Sequence, residues 1–142
     1  MSRIMTVGLL LVGLTLFGCA NESRKWYGIW EGDLKVSDPA MPNDDLRRMV
    51  DLAKLSIKPD GTFELMRSSI TVSGTHRLGK DKAFFTITRI LDQPISTQGP
   101  GTQKMNKDLT ATWEEDGSLL LNDPTGFESG PVKLTRTSQP VN

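Results

Sequence analysis

The chain has 142 residues with 17 basic and 17 acidic side chains, one histidine and one cysteine. Balanced charge without a basic stripe argues against nucleic acid as a partner, because neutralising phosphates takes clustered Lys and Arg. The nearest cluster, Arg47-Arg48, stands beside Asp44-Asp45 and reads as solvated surface. A lone cysteine excludes an internal disulfide, so one hydrophobic core must hold the fold.

The first element is a leader. Arg3 precedes an uncharged run from Ile4 to Phe17, followed by Gly18 and Cys19. A basic head, an apolar run and a small residue make the layout of an export signal. The run is fourteen residues long, short of the ~20 that cross a bilayer as a helix, so removal is expected rather than a permanent span. Leu16-Phe17-Gly18-Cys19 resembles the bacterial lipobox, whose cysteine receives diacylglycerol before cleavage on its N-terminal side. The resemblance implies a lipoprotein: residues 1–18 as signal peptide, acyl chains such as palmitate on Cys19, and membrane lipid as the first partner. Two acyl chains suffice for stable anchoring, since each buried CH₂ contributes ~0.8 kcal/mol. Ala20, in place of the Asp that retains such proteins at the inner membrane, implies the periplasmic side of the outer membrane in a cell with two membranes. Loss of Arg3 leaves 16 basic against 17 acidic residues in a mature chain of about 124.

Residues 19–25 form the expected lipidated tether, polar and without apolar periodicity, with an extended reach of ~20 Å. The domain follows over residues 26–137, with 138–142 as a flexible tail. Trp30, Gly32, Leu34 and Val36 alternate with Glu31, Asp33 and Lys35, the period-two pattern of a half-buried strand. After Pro39 and Pro42, Asn43-Asp44-Asp45 can cap a short helix, with Leu46, Met49, Val50 and Ala53 along one side at i, i+3, i+4, i+7. Alternation returns with Ala53, Leu55 and Ile57. Lys58-Pro59-Asp60-Gly61 then turns into a strand carrying Phe63 and Leu65, because Pro presets φ and Gly accepts positive φ. Further strands carry Ile70, Val72 and Leu78; Lys82 to Ile90; Leu109, Ala111 and Trp113; Leu119 and Leu121; and Val132 and Leu134.

Eight strands result, and their connections differ in length. Turns around Lys58-Gly61, Gly79-Asp81 and Glu115-Gly117 are tight, whereas 37–52, 91–107 and 123–131 are long. In a meander, alternate connections lie at opposite ends. The expectation is an all-β, eight-stranded antiparallel up-and-down barrel with one short helix in the first long loop, tight turns at one end and long loops at the other.

Gly28-Ile29-Trp30 resembles the Gly-x-Trp motif that opens the first strand of lipocalin-like barrels. The resemblance covers the topology of residues 26–137. It implies that Trp30 packs across the closed end against a basic residue of the last strand, here Arg136, and that the first long loop acts as a lid.

No reaction centre stands out. His76, the one histidine, shares a strand face with Ile70 and Val72. With no second histidine and the one cysteine expected to carry lipid, a zinc site would need mostly carboxylates, and a Ser-His-Asp triad would have to use His76 with no Gly-x-Ser-x-Gly elbow present. Glu31 and Asp33 share a face expected to point to solvent, and Glu114-Glu115-Asp116 lies at a turn. No catalytic residue, metal or cofactor is therefore assigned. An eight-stranded barrel holds either side chains or one small ligand. The leading expectation is a small apolar or amphipathic ligand between Trp30, Leu34, Leu55, Phe63, Ile70, Val72 and Trp113. The alternative is a filled barrel whose loops and outer faces meet a protein or cell-wall partner in the cell envelope.

Overall fold

A computed structural model describes residues 19–97, 99, 105–125 and 130–138. The leader and Leu16-Phe17-Gly18 lie outside these residues, as does the tail from residue 139. Among the described residues nine strands and two short helices follow in the order α1 (Cys19–Arg24), β1 (Gly28–Asp33), α2 (Asp44–Asp51), β2 (Leu52–Ile57), β3 (Thr62–Arg67), β4 (Ile70–Leu78), β5 (Lys82–Ile90), β6 (Gln93–Pro94), β7 (Leu109–Trp113), β8 (Leu119–Asn122) and β9 (Val132–Ser138). Eight of them form a closed antiparallel ring in the order β1-β2-β3-β4-β5-β7-β8-β9, shut by the β1–β9 and β4–β5 pairings. The two-residue β6 folds back on the end of β5. The protein is thus the eight-stranded antiparallel up-and-down barrel that alternation and connection lengths predict, and the architecture that the lipocalin-like resemblance implies.

Turn chemistry fixes the two ends. Gly61 (φ 88°) and Gly117 (φ 82°) supply the left-handed residue of two tight turns, and Asp60 and Asp116 each accept the amide of the residue two positions on. At the opposite end, Ser68 and Ser69 take positive φ between β3 and β4, as Leu91 and Asp92 do between β5 and β6. Closure of the ring also depends on Gly74. A Cβ there would stand 1.9 Å from the Thr86 carbonyl oxygen, and the β4–β5 register shifts at that point.

Three expectations need correction. The first strand stops at Asp33 rather than Val36, because Lys35 (φ 54°) turns the chain and the Leu34 amide donates to the Asp51 carbonyl at 2.7 Å. Val36 is left exposed. The helix over 44–51 forms, with the Asn43 side chain accepting from the Asp45 and Leu46 amides, but Ala53 belongs to β2 and none of the helix's residues is buried. Leu46 and Met49 are 51% and 60% exposed. Lastly, residues 19–24 of the tether are helical, which shortens their reach to ~9 Å at 1.5 Å per residue.

Candidate functional site

The tight-turn end is closed by aromatic rings. Trp30, inward from β1, donates its indole N–H to the Trp26 carbonyl at 2.9 Å, and Trp26 donates to the Gly79 carbonyl at 2.9 Å. Trp113 meets both edge-on, with centroids 5.5 and 5.6 Å away. The Arg136 guanidinium lies 4.4 Å over the Trp30 ring. It donates to the Tyr27 carbonyl at 2.9 Å and to the Lys25 carbonyl. Its position on β9 beside Trp30 of β1 follows from the Trp30–Arg136 register. Burial lowers the Arg136 pKa from the usual arginine value; a guanidinium stays protonated in proteins, and the stack draws on that charge.

The seven side chains expected around a ligand do not share one environment. Trp30, Leu55 and Val72 are 0% exposed and Phe63 is 1%. Leu34 and Trp113 are half-buried against the core, and Ile70 is 39% exposed at the long-loop end. Zero exposure carries information, since a void wide enough for one water leaves accessible surface on its walls. Leu65, Phe85, Leu109, Ala111, Leu119 and Leu134 are likewise at 0%, and Phe63 and Phe85 meet edge-on at 5.0 Å. Side chains fill the space between these residues.

An ion pair crosses the interior at the long-loop end. Arg67, the last residue of β3, reaches Asp123, the residue after β8. Those strands stand third and seventh in a ring of eight, so the pair joins opposite walls. Both side chains are nearly inaccessible, at 6% and 2%. Asp123 also accepts the Thr125 amide at 2.8 Å and the Thr125 hydroxyl, and Met105, from the connection before β7, is buried beside the core. The long connections therefore send residues into the barrel mouth. Neither Arg67 nor Asp123 was expected as a site residue, although both continue an inward alternation, Phe63-Leu65-Arg67 and Leu119-Leu121-Asp123.

Compared with known families, curated proteins and solved structures, the chain matches none. Its site must be read from geometry.

The large exposed apolar residues among those described are Val36, Leu46, Met49, Ile70 and Leu91. All five lie at or beyond the strand ends of the long-loop end. The first long loop is pinned there by Asp51, whose carboxylate accepts the Val36 and Ser37 amides and the Ser37 hydroxyl at 2.6 to 2.8 Å. The Ser37 hydroxyl, more than any other group, holds the Asp51 pKa below the usual carboxylate value.

The polar groups weighed for chemistry are dispersed. His76 Nε2 is 2.8 Å from the Lys58 carbonyl, and its ring lies near Tyr27 and Phe85. Glu31 faces Lys54 at 3.8 Å on the barrel's outside, while Asp33 caps the Lys35 amide. Asp116 binds Lys133 and Ser118, which pull its pKa well below the usual carboxylate range, and Lys133 is raised in turn. Among the described residues no cluster of three or more His, Cys, Asp or Glu is disposed to hold a metal. No described helix is long and apolar enough to cross a membrane.

Proposed function

We propose that this chain is an exported lipoprotein, anchored through Cys19 on the periplasmic side of the outer membrane, whose barrel is a filled scaffold and whose long-loop end binds an envelope partner. The observation that carries the reading is the interior. Trp30, Leu55, Leu65, Val72 and Phe85 have no accessible surface, and the Arg67–Asp123 pair spans the space above them. A ligand of ordinary size needs a cavity of about 300 Å³ or more. Making one there would separate packed side chains at the full cost of their lost contacts. Binding is then left to the outer surface, where exposed apolar side chains collect at one end, as interaction surfaces do.

Two measurements test this. Labelled palmitate should enter the wild-type chain and not Cys19→Ser, which should also leave the membrane fraction. Native mass spectrometry of the folded domain should show the bare protein mass. A co-purifying apolar molecule whose retention falls on changing Val72 or Phe63 would overturn the filled-barrel reading and restore the interior ligand.

A further inference from the structure

Between α2 and the loop-end residues of β1 and β2 lies a cleft of about 540 Å³. Its volume falls within the ~300 to 1,000 Å³ of small-molecule sites, and Gly32, Met49 and Leu52 give it a largely apolar lining. Four charged side chains also line it: Asp33, Arg47, Arg48 and Asp51. Three of them are engaged. Asp51 accepts three hydrogen bonds from Val36 and Ser37; Asp33 accepts the Lys35 amide; Arg47 donates to the Met41 carbonyl and faces Asp44 at 3.4 Å. Arg48 makes no hydrogen bond or ion pair with another described residue. The cleft therefore offers an apolar floor, one uncommitted guanidinium, and carboxylates already occupied by the loop.

We propose that this cleft binds a single-chain amphipathic anion, with the Arg48 guanidinium taking its head and Met49 and Leu52 its apolar body. The inference rests on the reading that binding belongs to the long-loop end, and it names the ligand class. A planar fork of donors matches a carboxylate or phosphate, and a charge-assisted pair beside apolar surface is stronger than one in open water. A neutral molecule of the same length gains the floor and not the head contact.

The core of the described barrel is made by residues 26–134 alone, so the chain from Ala20 to Asn142 is the protein to use. Titration calorimetry with decanoate below its micellar concentration should give saturable one-to-one binding, with 1-decanol about tenfold weaker, equivalent to ~1.4 kcal/mol. Arg48→Gln should weaken decanoate about tenfold and leave decanol unchanged. Met49→Trp, at an exposed position that can fill the cleft without disturbing the core, should abolish both at an unaltered thermal midpoint. Absence of saturable decanoate binding, equal affinity for decanol, or indifference to Met49→Trp overturns the proposal. Leu91→Asp, away from the cleft, separates the two readings: loss of an envelope partner in membrane pull-downs with decanoate binding unchanged is expected. Retained partner binding in Leu91→Asp and Leu46→Asp counts against the loop-end reading instead.

Discussion

Arg136 stacks 4.4 Å over Trp30 and donates to carbonyls of Tyr27 and Lys25, so one side chain ties the last strand to the segment entering the first. Arg136→Met keeps the apolar stem and removes the donors, and should cost about 1–3 kcal/mol in urea unfolding. The interior pair behaves differently. Arg67→Met or Asp123→Leu alone leaves a buried charge without its opposite and should cost about 3–5 kcal/mol, whereas the double replacement should recover most of that loss. A double variant no more stable than the singles would mean that the pair is not the coupled unit. Asp51 predicts a pH effect. Its pKa is lowered in the folded chain, so its hold on Val36 and Ser37 is complete above the ordinary carboxylate value, ~3.9, and is lost as pH falls through the lower folded value. Val36 and Ser37 amide NMR shifts should titrate with a midpoint below ~3.9, and Asp51→Asn should abolish the transition.

Each of the eight ring strands was legible because alternation survives wherever one face is buried and the other wet; the two-residue β6, inside the connection 91–107, was not. The first strand ended early for a reason that alternation does not register: Lys35 adopts φ 54° to bring Leu34 to the Asp51 carbonyl, a partner distant in sequence. The helix was legible from Asn43 and its acidic first turn. Its apolar side, however, remains in solvent, since i, i+3, i+4 spacing specifies a face and not what covers it. Asn43→Ala should loosen the helix by ~1 kcal/mol, seen as faster amide exchange over 46–51 and little change in global stability, because α2 has no fully buried residue. Gly74 carried no turn signal. Its importance arises from the β4–β5 closure, and Gly74→Ala should destabilise the barrel by about 1–3 kcal/mol through the Thr86 contact.

At the scale of the molecule, the tight-turn end carries Trp26 and follows directly on α1, while the long loops gather at the other end. A lipid on Cys19 would hold the closed end towards the membrane, at a tether reach of ~9 Å for the helical residues. Cysteines introduced at Glu115 and Gly99 in intact envelopes test this orientation: the first should be shielded from a bulky thiol reagent and the second labelled. The reverse pattern would place the loops against the lipid.

The eight ring strands, the meander and the division into two kinds of end could be read from residues in order, because each follows from local periodicity, turn chemistry and connection length, whereas the Trp30–Arg136 stack was implied by the Gly-x-Trp resemblance. Only the tertiary structure showed which inward residues are left without accessible surface. Inward residues look alike in sequence whether they line a cavity or meet one another, and the difference lies in distances across the ring. The same holds for Arg67 and Asp123. Both stand in inward phase on strands far apart in the chain, and only closure of the ring brings opposite walls within reach.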